Sequence, residues 1–359
     1  MSVQNHTPFP AIAFRQYNLA GRLNGVVAVR GTFRVVLDGP LVPVRAQAPL
    51  VLADVYDGDP HQGPLMAQSD LVPFKPGTDV TLIGLAYAPD RRPRPHWLCT
   101  LRAGPLRKTL RVMGPRSWSA KIRVPAAGWA TRARETALAG WELSHPAPVA
   151  TVPLDWRLAY GGLLPGRAGP GPDGRYPLNP IGCGIVDNAR FDELEDCPAP
   201  QIEDPAKPVL SADEAMRPEG FGPLPPWWNQ RYQYAGTYDD DWLRNRHPLL
   251  PADFDHRFYQ CAHPDLIATP WLEGDEEYEL ENLAPRHPLI RGRLPGVRLQ
   301  VTIDQGRGPE VAPLVLDGVH FDLRPGVGRV FLTWRTAFPW PERRGLPALH
   351  CLTPLPEAA

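Results

Sequence analysis

From Asn24 to Leu37 the chain reads NGVVAVRGTFRVVL, in which Val27, Val29, Gly31, Phe33 and Val35 alternate with Ala28, Arg30, Thr32 and Arg34. Side chains on a strand change face at every residue, so this run, opened by an Asn-Gly turn signal, predicts a β-strand with one buried face. β-Branched runs follow at Leu41–Val44, Leu50–Val55, Val80–Tyr87, Trp97–Arg102 and Leu106–Val112, most of them bounded by Gly, Pro or Asp. They predict that the first 125 residues form a set of antiparallel strands. Strand character returns at Val297–Asp304, Val311–Leu323 and Gly328–Phe338, and Asp317-Gly318 inside the middle run predicts a hairpin turn.

Between about Gly161 and Pro226 the periodicity fades, and LLPGRAGPGPDGRYPLNPIGCG supplies turns only. A structureless loop of that length does not suit a folded domain. Trp156, Tyr160, Tyr176, Phe191, Phe221, Trp227 and Trp228 recur through it, which predicts ordered loops pinned by aromatic anchors. The 46 prolines and 32 glycines punctuate the chain too often for long helices. The expected architecture is mainly β: an antiparallel β-sandwich or barrel-like core built from N- and C-terminal strands, with long Pro-, Gly- and aromatic-rich ordered loops in the middle. It is expected as a single domain over 1–359, β-rich at 10–125 and 291–340, with a Pro-rich loop region at 150–290. Two sequential β domains are the alternative; no fixed-period repeat or heptad points to a solenoid, propeller or coiled coil.

Charge removes one class of partner. The 38 basic and 39 acidic residues leave a formal charge of -1, without the basic excess that nucleic-acid binding requires. Only Lys75, Lys108, Lys121 and Lys207 are lysines, so nearly all positive charge is Arg, which suits bidentate carboxylate pairing; a GC-rich genome gives the same bias. The five cysteines, Cys99, Cys183, Cys197, Cys261 and Cys351, are odd in number and form no C-x-x-C, which fits reduced thiols. Met1 to Pro10 lacks a basic-then-apolar leader and no apolar run approaches 18 residues, so a cytoplasmic protein without membrane contact is expected.

Two clusters carry candidate chemistry. Asp54, Asp57, Asp59 and His61 contain metal-ligand types, but an Asp- and Gly-rich turn explains them more simply. Asp239, Asp240, Asp241, Asp253 and Asp255, beside Tyr238, Trp242 and Phe254, suggest a sugar platform with paired carboxylates; pairing with arginines and loop capping is the favoured reading. Gly161, Gly162, Gly182 and Gly184 match no phosphate-binding motif, and no nucleophile motif occurs. His145, His247, His263 and His287 precede proline and read first as loop residues. No catalytic residue, cofactor or metal is expected.

The segment DLVPFKPGTDVTLIGLAYAP at Asp70 to Pro89 resembles the signature of a bacterial family, domain of unknown function 2169. Further matches follow in order: VMGPRSW from Val112, LDWRLAYGG from Leu154, NPIGCG from Asn179, RPEGFGPLPPWW from Arg217, YDDDW from Tyr238 and PADFD from Pro251. Two departures stand out. Tyr160 replaces a usual Phe before Gly161-Gly162, and Tyr259-Gln260-Cys261-Ala262-His263-Pro264 replaces a segment that tends to contain Asn-Ala-Pro. Members are encoded with type VI secretion systems. The resemblance implies an adaptor or chaperone that stabilises a toxin effector and loads it onto the spike protein VgrG, with no enzymatic activity.

Candidate partner-binding or loop-fixing residues are Asp70, Lys75, Asp79, Arg116, Arg157, Tyr160, Asn179, Trp227, Trp228, Arg231, Asp239, Trp242, Asp253 and Asp255. Lys75 lies between Pro73 and Pro76 beside Asp70 and Asp79, and Arg116 and Arg157 each sit near a Trp; internal pairing is the favoured role. Trp227 and Trp228, after two prolines, are the better candidates for partner contact, with one of them as readily a core anchor. The rival functions are a carbohydrate-active or carbohydrate-binding β protein using positions 238–255, and a structural subunit of the secretion machine.

Overall fold

Two N-terminal strands, β1 (Ala11–Tyr17) and β2 (Leu23–Arg34), pair antiparallel, and the far edge of β2 pairs with a C-terminal strand. The computed structural model describes residues 3–123, 137–162, 174–186, 188, 191, 196–212, 216–304, 308–340 and 347–353. The remaining principal strands are β3 (Thr78–Ile83), β4 (His96–Ala103), β5 (Leu106–Met113), β6 (Glu277–Glu281), β7 (Leu289–Arg293), β8 (Val315–Asp322) and β9 (Arg329–Pro339). Helices are confined to short turns, among them α1 (Asn229–Tyr232) and α2 (Asp240–Asn245).

A seven-stranded sheet runs Ile267–Ala268, β3, β8, β9, β2, β1, with Val42–Pro43 added on β2. The N- and C-terminal strands therefore build one sheet, as their shared pattern predicts. It is not wholly antiparallel, because β3 and β8 run parallel with Val80 opposite Val319. A six-stranded sheet runs Ile202–Glu203, β5, β4, β6, β7, Gly39–Pro40. Val27, Val29, Val80, Val319 and Leu332 from the first sheet and Leu101, Leu110, Tyr278 and Leu280 from the second share one apolar core. Tyr278 and Phe321 meet across it at 5.4 Å. A four-stranded sheet joins Gln4–Asn5, Ala348–Cys351, Leu299–Asp304 and Pro309–Pro313, and among the described residues no sheet closes into a barrel.

Four expectations change. The run in β2 is buried on both faces, from Gly25 to Phe33, because a polar network covers the side opposite the core. Leu50–Val55 gives a strand only at Val55–Tyr56; Val51 instead donates to Asp70 Oδ2 (2.7 Å) and accepts from the Asp70 amide (2.7 Å). Asp317-Gly318 makes no hairpin but a register shift inside β8, since Asp317 is held by Arg335 on the neighbouring strand. The 150–290 region contains β6 and most of β7's partner contacts; EYELE alternates acid and apolar, burying Tyr278 and Leu280, a period-two signal overlooked among the turns.

Aromatic anchors pin the middle of the chain. Trp156 meets Trp228 edge-on at 5.6 Å, and Trp156, Phe221 and Trp228 all lie in the core. Tyr160 packs on Tyr176 at 5.4 Å in a second small core around Trp118. The glycine-rich stretch at 163–173 lies outside the described residues. The five cysteines are free thiols.

Candidate functional site

Alternation along β2 sends Val27 and Val29 to the core and Arg30 to the opposite face, where the signature segment crosses the sheet. Arg30 Nη1 lies 3.3 Å from Asp70 Oδ1 and its guanidinium stacks 4.3 Å over Phe331. Lys75 Nζ donates to Asp79 Oδ2 at 2.7 Å, and the Cys261 amide donates to the same oxygen at 2.9 Å. Arg335 pairs with Asp317 and donates to the Asp70 carbonyl at 3.1 Å. Three cations and three carboxylates thus meet in a network buried from bulk solvent. Pro73 and Pro76 fix the backbone on either side of Lys75, so the ammonium is held with little loss of freedom on pairing.

Burial works against the Lys75 ammonium, but the charge of Asp79, helped by Cys261 and Asp317, outweighs it and raises its pKa. Burial also raises Asp317 above the usual carboxylate range, with Arg335 opposing, and pushes the Cys261 thiol up to about 12. A thiol so placed is a poor nucleophile.

A second cluster, with Lys108, Glu219 and His263 buried and Asp265 exposed, joins β5 to the central loops. Glu219, His263 and Asp265 offer ligand atoms within 4.8 Å of one another, the one such group among the described residues. Lys108 Nζ bonds Glu219 and lies 3.1 Å from Asp265, supplying at that point the positive charge a cation would bring. His263 Nδ1 accepts from the Asp265 amide at 3.2 Å, and burial lowers the pKa of its ring. The arrangement is an internal ion-pair clip with a neutral histidine.

Most other signature residues also face inward. Arg116 donates to the Pro200 carbonyl (2.8 Å) and pairs with buried Glu203 (2.8 Å). Asn179 donates to the carbonyls of Trp156 (2.8 Å) and Tyr160 (3.0 Å). Gly161 and Gly162 have positive φ, and a Cβ on either would collide with the backbone carbonyl of Asn179 or Gly182, so the Gly-Gly after Tyr160 is a packing requirement. Buried Arg231 donates to the carbonyls of Phe258 and Leu224, both at 2.8 Å. Trp228 is 0% exposed and is the core anchor of its pair; Trp227 is half-buried, with its ring 5.4 Å from that of His61. Arg157 lies nearer the surface and clamps Asp57 (2.8 Å) and Asp155 (2.6 Å).

The acidic group at 239–255 is engaged locally. Asp239 caps α2 by accepting from the Trp242 amide (2.8 Å), and Trp242 Nε1 donates to the Leu249 carbonyl (2.8 Å). Asp253 accepts from the Thr237 amide and hydroxyl, and Asp255 from Arg257; both sets of bonds hold these carboxyls below their ordinary pKa. Asp59 caps its own turn by accepting from the His61 amide (2.7 Å), as turn chemistry predicts, whereas Asp54 accepts from the Ser69 amide (2.8 Å) fifteen residues on, a longer-range contact.

Sequence reasoning named Tyr238, Trp242 and Phe254 as a platform but missed that they continue into a strip of rings with Phe74, His256, Tyr259 and Trp271 beside this network. Trp271 and His256 pack edge-on against Phe74 at 6.0 and 5.2 Å, and Phe254 links His256 (5.7 Å) to Tyr259 (5.4 Å). Tyr238 lies near Tyr259 and packs on Trp242 at 4.7 Å. Phe74 and Tyr238 remain 37% and 52% exposed. The available signal was Phe74 itself, an aromatic fixed between Pro73 and Lys75.

Among the described residues no helix is long and apolar enough to cross a membrane. No curated protein and no solved structure matches the chain. A family profile described as "Uncharacterized protein conserved in bacteria (DUF2169)" matches residues 20–335, which takes in most of both principal sheets, though not the edge strand β1, together with the buried network and the aromatic strip. The chain therefore belongs to the DUF2169 family.

Proposed function

We propose that this protein is a non-catalytic adaptor of the cytoplasm that binds a toxin effector of a type VI secretion system and promotes its loading onto the VgrG spike. The observation that carries the reading is the aromatic strip from Trp271 through Phe74 and His256 to Tyr238, with Phe74 and Tyr238 left exposed on a rigid loop framework. Exposed aromatics on prepaid, ordered loops are the side chains that dominate protein interfaces, because they bury much area at little entropic cost. The buried ion pairs beneath them keep that framework in one conformation, a role that needs no bond to change.

The test is affinity purification of the tagged full chain from its native cells under secretion-inducing growth, beside a Phe74→Ala plus Tyr238→Ala variant. Recovery of a toxin-like effector by the wild type, reduced at least tenfold by the variant at equal folded yield, supports the reading. Recovery of the chain alone, or retention on immobilised oligosaccharide in its place, overturns it.

A further inference from the structure

Against the polar face of the large sheet lies a partly open cavity of about 50 Å³ beside β2, β3, β8 and β9, lined by Arg30, Asp70, Asp79, Gly318, Thr333 and Arg335 among others. Arg30, Asp79 and Arg335 are 6%, 2% and 3% exposed, and each keeps one buried polar atom without a protein partner: Arg30 Nε, Asp79 Oδ1 and Arg335 Nε. Two donors and one acceptor therefore belong to side chains around one small chamber. Leaving such atoms dry is costly, and buried polar groups in folded proteins find a partner in protein or in ordered water.

We propose that this cavity is a binding site for ordered water, which completes the charge network under the signature segment. Charge decides the class of ligand. Of the charges lining the chamber, Arg30 is paired with Asp70, Lys75 with Asp79, and Arg335 with Asp317 just outside the lining, so no unpaired charge is left to hold an anion or a metal cation. Size agrees: a water needs roughly 10–15 Å³ of such space, so about three to five fit. A water both donates and accepts, which suits lining residues that keep two Nε–H donors and one carboxylate oxygen unpartnered. The bound solvent joins the segment carrying Asp70 and Asp79 to Arg30 of β2 and Arg335 of β9, where direct bonds alone leave the three atoms unpaired. This inference stands independently of the adaptor reading.

A crystal structure of the full chain at a resolution that shows water, with parallel bromide and rubidium soaks, tests it. Solvent peaks within hydrogen-bond distance of Asp79 Oδ1 and of at least one of the two Nε atoms, without anomalous signal in either soak, support the site. An anomalous peak in the chamber identifies an ion and overturns the proposal, as does a chamber with no density. Gly318→Ala gives a second measurement. Its Cβ would meet Thr333 Cβ at 3.4 Å, an ordinary contact, while taking space from the chamber wall. Magnetic relaxation dispersion is expected to count at least one long-lived water fewer in that variant; an unchanged count overturns the proposal.

Discussion

Lys75→Met tests whether the signature lysine serves the fold or a partner. The substitution keeps most of the apolar stem and removes the ammonium that sits 2.7 Å from Asp79 Oδ2, in a pair whose side chains are 7% and 3% exposed. At an effective dielectric near 20 the attraction of two unit charges about 4 Å apart is worth about 4 kcal/mol, and breaking one side of a buried pair costs about 3–5 kcal/mol. Asp79 keeps the Cys261 amide as donor, so a loss near 3 kcal/mol is expected in urea unfolding followed by tryptophan fluorescence at pH 7.5. Lys75→Met plus Asp79→Leu removes both charges and is expected to recover most of that loss, a coupling of at least 2 kcal/mol in the double-mutant cycle. The sign with pH is fixed as well: Lys75 has a raised pKa in the folded chain, so the wild-type advantage over Lys75→Met is full below the ordinary lysine range and shrinks as pH rises through it. A single-variant loss below about 1 kcal/mol, or additive single losses, would refute an internal role and return Lys75 to the surface as a contact residue.

Trp228→Ala empties a fully buried site in the core and is expected to cost about 3–5 kcal/mol by the same assay, whereas Phe74→Ala is expected to cost under about 1 kcal/mol and act on partner capture. Gly161→Ala drives a Cβ into the Asn179 carbonyl at positive φ, and soluble yield and thermal midpoint should both fall; wild-type values would show that this loop relaxes freely. Burial, then the charge of Arg30, lowers the His320 pKa from 6.5 to about 4. Between those values the unfolded chain takes up the proton first, so stability is expected to fall as pH drops from about 6.5 toward 4, and His320→Gln should flatten that slope in pH-dependent urea midpoints.

The strands were legible where the alternating or β-branched run was long: β2, β4, β5 and β9 lie within a few residues of their predicted spans. The five-residue alternation of β6 was missed among surrounding turn signals. Two other failures share a physical cause, a side chain that captures backbone or charge from far along the sequence. Asp70 binds the backbone at Val51 and unmakes a predicted strand, and Arg335 holds Asp317 inside β8 where Asp-Gly predicts a turn. Neither partner is visible in a local window. The parallel pairing of β3 with β8, separated by more than two hundred residues, is invisible for the same reason. Of the candidate residues, the turn-capping roles of Asp239 and Asp255 could be read locally, because each accepts from an amide two or three residues on. Phe74 was passed over because its significance depends on His256 and Trp271, which reach it from another part of the chain.

This division has a consequence for where partner choice resides. Asp70, Lys75, Asp79, Asn179 and Arg231 are buried and bonded within the chain, so changing them acts first on the loops they hold and only through those loops on a partner. The exposed positions of the aromatic strip have the opposite property: Tyr238 stands on Trp242, whose indole is tied to the Leu249 carbonyl, so the platform survives loss of the phenol ring above it. Interface energy concentrates in a few such anchors, while the rim around them contributes shape. A pair of substitutions at Phe74 and Tyr238 therefore separates recognition from folding, and a pair at Lys75 and Asp79 separates folding from recognition. Measured together on one preparation, unfolding midpoints and partner capture should move independently in the two pairs. If they move together in both, the strip is part of the fold's own support.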